Sequence, residues 1–122
     1  MASWQYLQKY NLSKVIDKFP RKTEIEEKYM NDMTKQQKLN YIKQKLKTDD
    51  YYLIPNDYPY DLSEDIKHYV FWCKETYSLE DVLKIALLYF KKTSNEIIVF
   101  VNDITNKSVL DINHYHIFVK NI

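Results

Sequence analysis

Asn113-His114-Tyr115-His116-Ile117-Phe118-Val119-Lys120 is the stretch from which the fold can be read. Its residues alternate, with His114, His116 and Phe118 on one side. A period of two predicts a strand and puts two imidazoles on one face, about 7 Å apart. Upstream, Glu96 to Asn102 (EIIVFVN) predicts a second strand, apolar on both faces and antiparallel to the first. Before it, Ser78-Leu79-Glu80-Asp81 can cap a helix running to about Lys92, carrying Val82, Ile85, Ala86, Tyr89 and Phe90. Lys67 to Cys73 (KHYVFWC) predicts another strand, with His68, Val70 and Trp72 on one face and Tyr69, Phe71 and Cys73 on the other. It is either the neighbour of strand 96–102 or separated from it by one strand. Tyr51 to Ile54 is short and β-prone, and Pro55 to Tyr60 (PNDYPY) is a turn with two prolines.

The first half predicts helices. Ser3 can cap a short turn carrying Trp4 and Leu7. A second short helix is expected from Ser13 through Val15, Ile16 and Phe19, ended by Pro20. Thr23-Glu24-Ile25-Glu26 has the form of a capping box. Beyond it Ile25, Tyr29, Met33, Leu39, Ile42 and Leu46 recur at three- and four-residue steps, with a possible break near Asn31–Thr34. That spacing predicts one buried stripe. The expected fold is therefore α+β: N-terminal helices packed on a small, mostly antiparallel sheet with one crossover helix. Residues 1–122 form a single domain in this reading, with a helical layer over 1–48 and the strand–helix–strand–strand part over 49–122.

Composition narrows the function classes. The net charge of +1 argues against broad electrostatic binding of nucleic acid. Lys35, Lys38, Lys43, Lys45 and Lys47 fall in one stretch, which reads as a solvated helix face. No apolar run approaches the ~20 residues that cross a bilayer, and MASWQYLQKY lacks the apolar centre of a secretory signal. Cys73 is the single cysteine, so no internal disulfide can form, and an intracellular, cytoplasmic setting is expected. Lys74 beside it could lower its pKa, yet its place on the strand reads as inert core.

There is one arginine, Arg21, against 17 lysines, and there is no glycine. The bias toward Lys, Asn, Ile and Tyr reads as the mark of an AT-rich genome. Without glycine a phosphate-cradling glycine loop is excluded. Turns that need positive φ fall to Asn or Asp, with candidates at the Asn-Asp pairs 31–32, 56–57 and 102–103.

All three histidines lie on expected strands, so His68, His114 and His116 are the candidate catalytic groups. Asn56, Asp57, Lys74, Asn102, Asp103 and Ser108 are the polar residues near the strand ends. Three readings stay open. An imidazole can attack phosphorus, with a second one as acid or base and an Asn or Ser on the phosphate oxygens. His-x-His can present two metal ligands, with His68 or Asp57 as a third, so a divalent metal is conceivable while no cofactor is required. Or the histidines are satisfied by carbonyls and water. Tyr58 and Tyr60 are candidates for a ligand-facing wall, Trp72 reads as core that could also stack a base, and Lys74 could meet a phosphate as a point charge.

Asn56-Asp57-Tyr58-Pro59-Tyr60, then Ile66-x-His68 and Trp72-x-Lys74, resemble the N-acetylglucosamine-induced proteins, a largely uncharacterised family of fungi and large DNA viruses. Trp4, Leu12, Arg21 and Tyr29 resemble that family's helical opening. The resemblance implies a fold and a viral source, but no reaction. A more distant resemblance is to the histidine-triad (HIT) nucleotide hydrolases and transferases. His68 to Lys74 is similar to their first strand, Val99-Phe100-Val101-Asn102 to the strand ending in Asn, Ser108 to the loop serine, and His114 to Phe118 to the triad strand. That resemblance implies recognition of a nucleotide or other phosphorylated small molecule, with Asn102 and Ser108 on the phosphate, and a homodimer by analogy. His114 is the implied nucleophile if Ile112 takes the first triad place, and His116 if Phe118 takes the third. The triad is incomplete in either register, and the glycines between Asn and Ser are missing. Such a site could bind a nucleotide without turning it over. The other function class is a non-catalytic interaction module that uses the aromatic NDYPY loop to bind a protein or nucleic acid.

Overall fold

The structure is a computed structural model and describes residues 1–16, 18–102 and 112–121. In chain order the elements are α1 (Trp4–Leu7), a 3₁₀ turn (Gln8–Tyr10), β1 (Ser13–Val15), α2 (Thr23–Asn31), α3 (Lys35–Lys45), β2 (Tyr51–Pro55), β3 (Ile66–Cys73), α4 (Leu79–Phe90), a 3₁₀ turn (Ser94–Glu96), β4 (Ile97–Asn102) and β5 (Asn113–Lys120). The strands form one sheet in the order β1-β4-β5-β3-β2. Every pairing is antiparallel except β1 with β4, which is parallel. The class is α+β, as expected, and β5 is the strand that separates β3 from β4.

Strand periodicity divides the side chains between two faces. One face carries Leu53, Phe71, Cys73, Ile97, Val99, Tyr115, Ile117 and Val119, buried against Val82 and Ala86 of α4. Ser78 caps that helix, its hydroxyl accepting the Asp81 N–H at 3.1 Å. The other face is covered in two pieces. Trp4 and Leu7 of α1 pack with Val15, Leu62, Ile66, Ile98, Phe100 and Phe118 over the β4 side. Ile42 and Leu46, on and just after α3, pack with Ile112 and with Tyr52, Ile54 and Trp72 over the β2 side. His68 and His116 lie between those two patches.

Ser13–Val15 is an edge strand and not the start of a helix. Asn11 Oδ1 accepts the Val99 N–H at 2.9 Å, and the Leu12 N–H donates to the Val99 carbonyl at 2.7 Å. Pairing with β4 satisfies backbone groups along a buried strand, and this outweighs the helical spacing of Val15, Ile16 and Phe19. The capping box at Thr23 does not form. Lys22 is the N-cap of α2 and makes no side-chain cap bond, while Glu26 pairs with Arg21 at 3.2 Å. The expected single stripe is also split. No residue of α2 is buried and Met33 is 93% exposed, whereas Ile42 and Leu46 enter the core.

A capping box does occur at Thr93 and Glu96, on the turn leading into β4. Among the described residues positive φ falls on Leu12 (58°) and Lys91 (55°), not on the Asn-Asp pairs 31–32 and 56–57 or on Asn102; Asp103 lies outside the described residues. Lys91 terminates α4 in the left-handed region, a place usually given to glycine. Asn56 closes its turn by side chain instead, accepting the Tyr58 N–H on Oδ1 at 2.7 Å. No helix among the described residues is long and apolar enough to cross a membrane.

Candidate functional site

Strand register places the imidazoles. His68 lies opposite Phe118, Val70 opposite His116, and Trp72 opposite His114, so all three histidines share the face away from α4. His68 and His116 are diagonal neighbours and almost fully buried. His68 Nε2 lies 2.9 Å from His116 Nδ1, a direct imidazole–imidazole hydrogen bond. At the outer nitrogens, the Tyr60 N–H donates to His68 Nδ1 at 3.3 Å, and the Asn102 side-chain amide lies 3.0 Å from His116 Nε2. The Asn56 amide is 3.3 Å from His68 Nε2. Polar groups at this depth are held by such bonds because an unpaired one would cost about 1–3 kcal/mol.

Aromatic rings wall the pair. Phe100 stacks on His116 with centroids 5.0 Å apart and planes 13° apart. Tyr60 lies over both imidazoles, at 4.6 Å from His68 and 5.5 Å from His116, and is itself stacked on Phe19 at 5.2 Å. The two rings are uncharged. Burial, helped by the Arg21 charge, pushes the His68 imidazole down to about 3. Burial and then the neighbouring His68 and His114 hold His116 well below the ordinary histidine range. Burial also raises the Tyr60 phenol.

Arg21 organises the loop above. Its Nε donates to the Tyr58 carbonyl at 2.9 Å, and its guanidinium lies 4.5 Å from the Tyr29 ring and 5.5 Å from the Tyr60 ring. A planar, delocalised cation can bond and stack at once, which a lysine ammonium cannot do. The sequence held a signal for this residue in being the single arginine, but nothing in it pointed to the loop that Arg21 holds.

The remaining sequence-derived candidates are distributed unevenly. Asn56, Tyr60 and Asn102 join the imidazole pair. His114 is half-buried beside Trp72, centroids 5.0 Å apart, and 5.6 Å from the His116 ring. Tyr58 and Asp57 turn instead toward α2 and α3: the Tyr58 hydroxyl donates to Asp32, and Asp57 pairs with Lys38 at 3.1 Å. Lys74 is exposed beyond the end of β3, six residues along the chain from His68. At about 3.3 Å per residue it is roughly 20 Å away and cannot serve that imidazole. Ser108 and Asp103 lie outside the described residues. Among the described residues no group of three His, Cys, Asp or Glu side chains is arranged to hold a metal ion. Cys73 is buried on the opposite face, its thiol pushed up to about 12 by burial, so Lys74 does not activate it.

A mixed five-stranded α+β domain with a buried imidazole pair between two helical patches is thus the class that fold and site define. The chain belongs to the family described as protein of unknown function (DUF3605), whose pattern matches residues 3–86. That span includes Arg21, Asn56, Tyr60 and His68, while Asn102, His114 and His116 lie beyond it. No curated protein matches the chain. Among solved structures it is similar to the crystal structure of HTC1, with a TM-score of 0.58 and 19% identity over 85% of this chain and 77% of that one. At that identity the likeness is one of fold.

Proposed function

We propose that this domain recognises a nucleotide or another phosphorylated small molecule on the histidine-bearing face of its sheet, with His114 as the imidazole that meets the ligand. One observation carries the reading: two imidazoles are buried and locked together, while the third stands half-buried beside a tryptophan at the rim. A group that meets a ligand must be reachable, and His114 is more so than His116. This favours the register in which Ile112 takes the first place of the HIT-like pattern and His116 the third. The Trp72 ring would lie against the base and His114 against the phosphate.

If the site turns over, a His114 nitrogen forms an N–P bond as the P–O bond to the leaving group breaks, and water then cleaves the N–P bond. The relationships to N-acetylglucosamine-induced and HIT proteins, a viral or other AT-rich source, an intracellular setting and a homodimer belong to the same proposal. They rest on the quoted motifs, the single buried cysteine and analogy.

The test is thermal unfolding against nucleoside phosphates, dinucleotides, cap analogues and divalent metals, with His114→Ala alongside. A ligand at 100 times its Kd stabilises by about 2.7 kcal/mol, roughly 10 °C for a domain of this size. A nucleotide shift that is lost in His114→Ala is expected. A shift with Zn²⁺ alone would replace the proposal by a metal site. No shift would leave the interaction module, which has its own support: Met30 and Met33 are 71% and 93% exposed at the α2–α3 turn.

A further inference from the structure

We infer that the Tyr60 backbone, His68, His116 and Asn102 form a one-directional hydrogen-bond relay that keeps the proton of His116 on Nε2 and turns the Asn102 amide N–H₂ outward, toward the ligand. The inference rests on the phosphoester reading for its ligand, but not for its geometry.

The direction follows from one donor that cannot reverse. A backbone N–H only donates, so Tyr60 makes His68 Nδ1 an acceptor. A neutral imidazole with an accepting Nδ1 carries its proton on Nε2. His68 Nε2–H therefore donates across the 2.9 Å contact, and His116 Nδ1 accepts. His116 in turn carries its proton on Nε2, where Asn102 lies at 3.0 Å. Only the carbonyl oxygen of the amide can accept there, and network logic of this kind assigns the amide orientation. The atom placed at both contacts is Nδ2, 3.0 Å from His116 Nε2 and 3.4 Å from the Tyr60 hydroxyl; the relay requires the amide to be turned over, so that Oδ1 takes this place and accepts from both. The N–H₂ group is then on the far side of the amide, away from both partners, as a donor suited to an anionic oxygen.

Asn56 is the competing donor. Its Oδ1 is taken by the Tyr58 N–H, so it offers only N–H to His68 Nε2, at 3.3 Å. A neutral His68 accepts at one nitrogen only. The side-chain amide can rotate off and the backbone cannot, so the relay takes the Tyr60 contact as the bond and requires the Asn56 N–H to turn away from His68 Nε2. His68 is in this account a positioning residue three hydrogen bonds removed from the ligand. His116, its Nε2 lone pair committed to a proton, is a donor and not a nucleophile.

The experiment is long-range ¹H–¹⁵N NMR of the imidazoles in the wild-type protein at pH 7, which reads the tautomer of each histidine. Both His68 and His116 are expected as Nε2–H. Nδ1–H on either ring overturns the relay whatever the ligand does. A second arm measures adenosine diphosphate binding to wild type and Asn102→Asp. The carboxylate still accepts from His116 Nε2–H but carries no N–H, so the tautomers are expected to persist while affinity falls at least fivefold. Unchanged affinity in Asn102→Asp overturns the outward amide. Nε2–H tautomers in a wild type that binds neither adenosine diphosphate nor inorganic phosphate would support the relay and remove the phosphoester reading.

Discussion

The two faces of the sheet are built from the same strands but are stabilised differently. The face under α4 is the dry one: Phe71, Val82, Ala86, Val99 and Ile117 are fully buried in one apolar cluster, and the Tyr115 hydroxyl in it is satisfied by the Tyr77 backbone. The opposite face buries polar groups at its centre, His68 and His116, and satisfies them through Tyr60, Asn102 and the neighbouring ring. The dry face tolerates any side chains of the right volume and period. The wet face works only if each donor finds its acceptor. That asymmetry marks the second face as the place where function is to be sought.

The largest effect should come from the dry face. Phe71→Ala removes a fully buried ring and should cost about 3–5 kcal/mol in urea unfolding at pH 7. A much smaller loss would mean that the two faces are not so different in packing. Acid should act on the wet face instead. Both imidazoles are neutral when folded but protonate near 6.5 in the unfolded chain. Below that pH the unfolded state binds more protons, so stability falls as pH falls, over a window from about 6.5 down to about 3 for His68. At about 1.4 kcal/mol per unit for each ring, the step from pH 7 to pH 5 should cost about 3–4 kcal/mol. A His68→Phe/His116→Phe double variant should flatten that slope. A flat profile in the wild type would contradict a neutral buried pair.

Breaking the pair by one partner separates the faces further. His116→Phe leaves the His68 Nε2–H without an acceptor and should cost about 1–3 kcal/mol. The double variant removes both ends of the bond and should cost less than the sum of the single changes, a coupling that chemical denaturation of all four proteins would show. Additive losses would argue against a hydrogen bond between the rings. The smallest change is Ser78→Ala at the start of α4, where loss of the cap should cost about 1 kcal/mol without altering the acid slope.

Strand content was the legible part of the sequence. Residues 67–73, 96–102 and 113–120 alternate cleanly or run apolar, because a strand buried on a sheet has no other way to bury its side chains. The Ser78 cap and the helix behind it were legible for the same local reason. Ser13–Val15 was not, since the spacing of Val15, Ile16 and Phe19 is helical, and pairing with a partner more than 80 residues away makes Ser13–Val15 a strand instead. The Thr23 box failed because Arg21 claims Glu26, a competition that local pattern does not contain. Of the site, the shared face of His114 and His116 followed from periodicity, while the placing of His68 on that same face came from cross-strand register. The direct bond between His68 and His116, the Tyr60 lid, the turn of Asp57 toward Lys38 and the distance of Lys74 from His68 follow from cross-strand register and loop docking, which no short motif specifies.

The most direct measurement of the central claim is a ¹H–¹⁵N correlation spectrum of the wild-type protein titrated with adenosine diphosphate. Saturable shifts centred on the Trp72 indole N–H, the His114 imidazole and the Asn102 side-chain amide are predicted, with the α4 side, including exposed Leu88 and Tyr89, unmoved. Shifts confined to α4, or none at millimolar nucleotide, would contradict the assignment of the histidine face as a phosphorylated-ligand site.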